Sequence, residues 1–287
     1  MRESKLSKLQ EFLREYGWAD TLARLATRGA LGLFPGGFHR RLAPLLGELV
    51  EHSLSVHHSA ADLLRRYFIP DHEDRLQDLL CEAAALKQEL DTRYANRRCA
   101  YPPAYAVHGE SSLLLYALVR LLQPRNVLET GVANGHSSFY LLNAMAANRS
   151  GRLHSVEIAT DVGALLDPAE KERWQLHVLD RRHKRKSFER VLEGLPELDV
   201  FLRDSDYSYQ WVAFELEAAR TKLAHLQLLA VNDAEKSYGF LDFCASHAVK
   251  PVLLFDGGKV LGLTGPWILD APRPKPPSGG PACTGGD

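Results

Sequence analysis

Glu157, Asp180 and Asp204 each close an apolar run of the chain, and Asn232 with Asp233 closes another. Carboxylates and amides accept hydrogen bonds from hydroxyls, take up protons or hold hard cations. Brought to one edge, such a row is a site. A further apolar run, Asn126-Val-Leu-Glu-Thr130, carries Glu129 and leads into Gly131-Val-Ala-Asn-Gly135, then His136-Ser-Ser138. Two glycines so spaced let a backbone approach a small ligand closely, just where a helix N-terminus offers N–H donors. The pattern is Gly131-x-x-x-Gly135-x-Ser137, not the Gly-x-Gly-x-x-Gly of a dinucleotide turn. Glu129 would also repel a pyrophosphate. A cationic ligand with an amino-acid end meets no such obstacle.

The elements that must position these groups follow from periodicity. Asn126–Thr130, Arg152–Glu157, Trp174–Asp180, Leu198–Asp204 and Leu226–Asn232 read as strands, and His136–Ala147 as the helix after the first of them. Val212, Leu216, Ala219 and Leu223 share one helical face after the fourth strand. Val249–Phe255 and Lys259–Leu263, joined at Asp256-Gly257-Gly258, read as a closing antiparallel hairpin. Strand alternating with helix predicts an α/β fold with a mostly parallel open sheet, whose ligands bind at the carboxyl ends of the strands.

Around this core the chain divides into three regions. Residues 1–100 read as a helical extension, with Leu6, Leu9, Leu13 and later Leu76, Leu79, Leu80, Leu86 and Leu90 at helical spacing; Pro35-Gly-Gly37 and Pro70-Asp-His72 interrupt it. Cys99-Ala-Tyr-Pro-Pro-Ala104 is a joint, because two prolines cannot sit inside a helix. Residues 101–270 form the alternating domain, and 271–287 are Pro/Gly-rich and expected to be disordered. The 287 residues suffice for one core plus an appendage, and 45% hydrophobic with 25% charged residues is ordinary globular composition. A net charge of −1 gives no reason to expect nucleic acid or an anionic membrane as partner. Cys81, Cys99, Cys244 and Cys283 are widely spaced and fit reduced thiols in a cytoplasmic protein. No signal-peptide segment and no membrane-spanning apolar run is present in this sequence.

Val107 to Leu263 resembles the class I S-adenosylmethionine-dependent methyltransferases, most of all the bacterial small-molecule O-methyltransferase branch related to metal-dependent catechol and caffeoyl-CoA enzymes. Glu129-Thr-Gly-Val-Ala-Asn-Gly-His-Ser137 is similar to that family's cofactor loop. Leu153-His-Ser-Val-Glu157 is similar to its second strand, and Asp204-Ser-Asp-Tyr-Ser-Tyr209 to its segment after the fourth. Gly109-Glu-Ser-Ser-Leu-Leu114 resembles the helix start upstream. The resemblance implies a Rossmann-like fold and S-adenosylmethionine as cofactor, held by Glu129, Gly131, Val132, Ala133, Gly135, Ser137, Glu157, Ile158, Asp180 and Asp204. Glu157 would take the ribose hydroxyls, Asp180 the adenine edge, and Ser137 the methionine carboxylate.

The same resemblance implies O-methylation of a small hydroxylated acceptor, with Asp204, Asp206 and Tyr207 as catalytic candidates. Asp204, Asn232 and Asp233 stand where relatives hold a divalent metal, and hard oxygen donors suit Mg²⁺, Ca²⁺ or Mn²⁺. Here the usual acid pair is Asn232-Asp233, Tyr207 stands where relatives carry a lysine or histidine base, and Ala224-His-Leu-Gln227 replaces a Pro-Gly-Gly turn. Whether a metal binds is open at this point. So is whether the N-terminal helices form a lid or the contact of a homo-oligomer, and whether Asp161–Asp167 covers the cofactor. Two other readings stand beside the enzyme: a binding protein that keeps the fold without turnover, and a nucleotide-cofactor oxidoreductase, which the glycine spacing disfavours. The run Arg181-Arg-His-Lys-Arg-Lys186 lacks interleaved aromatics and reads as a solvated loop. His52, His57 and His58 have no ligand partners at metal spacing, and His136 reads as packing beside the cofactor.

Overall fold

The computed structural model describes residues 55–69, 73–107, 109–220, 222 and 226–266. The helical reading of 1–54, the breaks at Pro35 and Pro70, the tail 271–287, His52, Leu223, Ala224, His225 and Cys283 lie outside the described residues. Eight strands form one sheet: β1 (Ser55–His57), β2 (Asn126–Thr130), β3 (Arg152–Glu157), β4 (Trp174–Val178), β5 (Val200–Arg203), β6 (Leu228–Val231), β7 (Val252–Asp256) and β8 (Lys259–Thr264). Their spatial order is β1-β7-β8-β6-β5-β2-β3-β4, and every pairing is parallel except those of β8 with β6 and β7. The β7–β8 turn is the expected pair Gly257 and Gly258, both at positive φ. The sheet is thus the expected α/β arrangement closed by an antiparallel hairpin.

The helices are α1 (Ala60–Tyr67), α2 (Glu73–Asn96), α3 (Gly109–Leu122), α4 (His136–Asn148), α5 (Pro168–Lys171), α6 (Lys184–Gly194), α7 (Tyr209–Arg220) and α8 (Gly239–Ser246). They cover both faces because successive strand residues point to opposite sides. Val127, Val200, Leu202, Leu228 and Ala230 join one core with Leu64, Leu79, Leu114 and Phe139 of α1–α4. Their strand neighbours Leu128, Phe201, Leu229 and Val231 join the other, with Phe188, Leu192, Leu216 and Phe240 of α6–α8. None of the described helices is long and apolar enough to cross a membrane.

One strand lies inside the region read as helical. β1 is three residues centred on Val56, too short to show a period, and it pairs in parallel with β7 at the sheet edge. With α1 and α2 in the same core as α3 and α4, the described part of the extension is built into the domain. The chain runs from β2 outward through β3 to β4, then returns to β5 on the other side of β2. That reversal opens a crevice at the carboxyl ends of β2 and β5.

Candidate active site

In the crevice lies a cavity of about 660 Å³, within the size range of pockets for cofactors and drug-sized ligands. Its walls come from three strand ends: Gly131, Val132, Ala133 and Ser137 after β2, Glu157 and Ile158 at β3, and Asp204, Asp206 and Tyr207 after β5. Tyr94 of α2 and the segment from Tyr101 to Val107 complete them. The sequence-derived joint at 99–104 is therefore part of the site.

Gly131 has φ +85°, and a Cβ there would lie 2.0 Å from the Asp204 carbonyl oxygen. The turn after β2 thus packs directly on the backbone after β5. Glu157 fastens the turn to β3: its Oε2 accepts from the Val132 N–H at 3.0 Å and its Oε1 from the Ile158 N–H at 2.6 Å. Each oxygen keeps a further lone pair for a ligand in the cavity. The Asp161–Asp167 loop lies behind the turn, with Gly163 N–H donating to Ala133 O and Leu165 N–H to Asn134 O, both at 2.9 Å. Arg93 of α2 and Arg97 just after it clamp that loop through Leu165 O, Ala164 O and Asp167. None of its residues lines the cavity.

Four expected cofactor contacts are placed differently. Glu129 is buried and off the cavity. It accepts from the hydroxyls of Ser137 (2.6 Å), Ser138 (2.6 Å) and Ser155 (2.7 Å), while burial pushes its carboxyl up and these donors pull it down. Ser137 lines the cavity, but its hydroxyl proton is directed to Glu129. Gly135 starts α4 at φ +88° and packs against Gly163 and Leu166. Asp180 is exposed, held below the usual carboxylate range by His183 and by the Arg182 N–H, and it caps its own loop. Leu179, its neighbour, is the residue that reaches the cavity.

At the ends of β5 and β6 the side chains form a network in which, of the buried polar atoms of Asp204, Asn232 and Asp233, only Asp233 Oδ1 lacks a hydrogen bond. Asn232 Nδ2 donates to Asp204 Oδ1 at 2.9 Å. Burial, reinforced by the Asp233 carboxylate, pushes the Asp204 carboxyl up to about 8, with the Asn232 hydrogen bond opposing. Asp233 is buried with φ 54°, and its Oδ2 meets Lys236 Nζ at 2.5 Å while Oδ1 faces Lys259 Nζ at 3.5 Å. Lys236 Nζ also sits 4.1 Å from the centre of the Tyr207 ring. Burial and the Asp233 and Asp204 carboxylates push the Tyr207 phenol up, so near neutral pH it is a proton donor and not a base. Asp206 turns Oδ1 onto the Ser208 N–H at 2.8 Å.

The implied metal can be tested against this arrangement. A divalent cation needs converging oxygens, yet Asn232 offers its N–H₂ side to Asp204, and two ammonium groups face Asp233. An ion carrying two charges about 4 Å from one ammonium is opposed by roughly 8 kcal/mol at an effective dielectric of about 20. As arranged, Asp204, Asn232 and Asp233 do not fit a divalent metal. Among the described residues, no group of three or more His, Cys, Asp or Glu is placed to hold one.

Several site residues escaped sequence reasoning. Asn134 makes a reciprocal pair with the Tyr101 backbone, accepting its N–H at 3.1 Å and donating to its carbonyl at 2.8 Å, which ties the covering segment to the glycine turn. Glu215 lines the cavity and is paired with Arg203 at 2.9 Å, both side chains only 1% exposed. Trp211 and Lys184 line it too, the latter from the basic run read as solvated. The only signal for the covering segment was its aromatic content, Tyr101 and Tyr105 beside prolines. His136 lines the cavity with Nδ1 at 3.2 Å from the Tyr94 hydroxyl and Nε2 at 3.0 Å from that of Ser112, so both ring nitrogens are engaged. Among the described lining residues, Glu157 and Asp206 are set against Lys184, with Glu215 neutralised by Arg203 and Asp204 raised to about 8, a balance that favours a cationic ligand.

Residues 128–234 match the family model described as a methyltransferase domain. No curated protein matches the sequence. Among solved structures the chain is similar to a methyltransferase from Geobacter sulfurreducens, at 21% identity and TM-score 0.45, covering 63% of this chain and 86% of that one. It is similar to the O-methyltransferase TomG from Streptomyces achromogenes, solved with SAM, at 19% identity and TM-score 0.41, covering 65% and 87%. It is also similar to an O-methyltransferase from Bacillus cereus, solved with SAH, at 18% identity and TM-score 0.44, covering 71% and 96%. At such scores these likenesses add nothing about ligand or chemistry.

Proposed function

We propose that this chain, whose residues 128–234 match a methyltransferase domain, is an S-adenosylmethionine-dependent O-methyltransferase acting on a small hydroxylated molecule. The observation that carries the cofactor assignment is Glu157, a carboxylate fixed at the cavity wall by two backbone N–H groups beside the glycine turn. Its unused lone pairs suit the two ribose hydroxyls, a pairing nucleoside sites use generally. The sulfonium end then lies toward Asp204 and Asp206, where carboxylates favour a positive charge.

Transfer is an in-line displacement. A lone pair of the acceptor oxygen forms the new bond to the methyl carbon as the carbon–sulfur bond breaks. That electron pair returns to sulfur and leaves a neutral thioether. The acceptor's proton goes to a carboxylate, for which Asp204 is best suited: it lines the cavity, and its raised value lies near working pH. Tyr207 remains a neutral phenol that can orient the acceptor by donating to it. Tyr94, Tyr101, Tyr105 and Trp211 give the cavity aromatic walls that suit a flat acceptor.

The experiment is release of S-adenosylhomocysteine from S-adenosylmethionine with a panel of phenolic and aliphatic alcohols. Asp204→Asn is expected to lower kcat by far more than it weakens cofactor binding. Undiminished turnover in that variant would refute the assignment of Asp204.

A further inference from the structure

We propose that the ammonium groups of Lys236 and Lys259 take the place of a divalent cation at the ends of β5 and β6, so that this site works without metal. The inference rests on the methyltransferase reading but concerns different residues, and its test has a separate readout. Asp233 adopts a left-handed backbone conformation at the end of β6 and opens a 3₁₀ turn, Ala234–Lys236. In such a turn residues i and i+3 eclipse. Lys236 therefore stands over Asp233, its Nζ 2.5 Å from Oδ2, and its N–H donates to the Asp233 carbonyl at 3.0 Å. Lys259 arrives from the opposite side as the first residue of β8, 3.5 Å from Oδ1. Its Nζ also donates to Ala106 O at 2.9 Å, in the segment that walls the cavity.

Formal charge makes the same point. Asp204, Asn232 and Asp233 alone would carry two negative charges, the complement of one divalent ion. Lys236 and Lys259 already supply two positive charges, enough to neutralise Asp233 and to match Asp204 when it is ionised. The ammonium groups are covalently tethered, one in a turn and one on a strand, so chelators cannot remove them. Lys236 additionally covers the ring of Tyr207, which lines the cavity.

The test is Mn²⁺ binding followed by electron paramagnetic resonance, with S-adenosylmethionine calorimetry on the same samples. The wild-type chain is expected to show no saturable Mn²⁺ site. A Lys236→Ala/Lys259→Met variant is expected to gain one, and to lose it again when Asp233→Asn is added. Saturable Mn²⁺ binding by the wild-type chain that Asp233→Asn abolishes would overturn the proposal. So would a folded double variant that binds no Mn²⁺, because the lysines would then not be what occupies the cation's place. If the double variant does not fold, Lys236→Ala decides by the same two outcomes. Loss of cofactor binding by the wild-type chain would count against the methyltransferase reading, whatever the Mn²⁺ result.

Discussion

Gly131→Ala separates a packing requirement from a merely conformational one. At φ +85° an alanine is in the left-handed region, which costs about 1–2 kcal/mol. Its Cβ would also stand 2.0 Å from the Asp204 carbonyl oxygen and 2.7 Å from the carbonyl carbon, both backbone atoms that no rotamer change can move. Relieving such a contact adds about 1–3 kcal/mol of overpacking. The sum, about 2–5 kcal/mol, corresponds to a fall in Tm of roughly 4–20 °C for a domain of this size. Gly258→Ala is the control. That glycine also has positive φ, at +95°, but its Cβ would meet nothing within 4 Å. It carries only the conformational cost, a fall of about 2–8 °C. The clash must push the glycine turn away from Asp204, and a displacement on the order of 1 Å between groups that position reactants costs about 10²-fold in turnover. Differential scanning fluorimetry of both variants, with transfer assays, reads the two effects. Equal Tm losses and unimpaired turnover in Gly131→Ala would refute the idea that the β2 turn is seated on Asp204.

Three further outcomes follow from the geometry. Asn134→Ala removes both bonds to the Tyr101 backbone; leaving those groups unpaired costs about 1–3 kcal/mol, and limited proteolysis should show the 101–107 segment opening first. Asp180→Asn should leave S-adenosylmethionine affinity unchanged by calorimetry, because that carboxylate serves Arg182 and His183 outside the cavity; a large loss would restore it to the adenine site. His154 is buried 3.4 Å from His177 and pushed down to about 4 by burial and by that neighbour. The unfolded ring takes a proton near its ordinary value while the folded ring refuses it, so stability is full at neutral pH and falls as pH drops from that value toward 4. Urea titrations should show a loss of about 2 kcal/mol between pH 7 and pH 5 that His154→Phe largely removes.

The core strands and the glycine turn were legible because apolar periodicity and two glycines are local signals. Where a strand-end acid points was not. Glu129 shares the face of Val127 and is the register partner of Ser155, so strand alternation aims it under α4 and into Ser137 and Ser138. Glu157 and Asp180 look alike in sequence, yet one binds the glycine turn and the other caps its own loop. The lysines on Asp233 were invisible for a different reason. Lys236 lies one 3₁₀ turn away, but Lys259 reaches the site only through the β6–β8 pairing. Such non-local pairing also joined Tyr101 to Asn134. β1 was missed because three residues carry no period.

Calorimetry of S-adenosylmethionine against NADH, on the wild-type chain and on Glu157→Ala, decides whether the cavity takes a sulfonium nucleoside held by Glu157. Saturable binding of the sulfonium nucleoside is expected, with none of NADH, and a loss of about 10²–10⁴-fold when two hydrogen bonds to a carboxylate, at about 1.5–3 kcal/mol each, are removed. Binding of NADH in preference, or S-adenosylmethionine affinity indifferent to Glu157, would contradict that assignment.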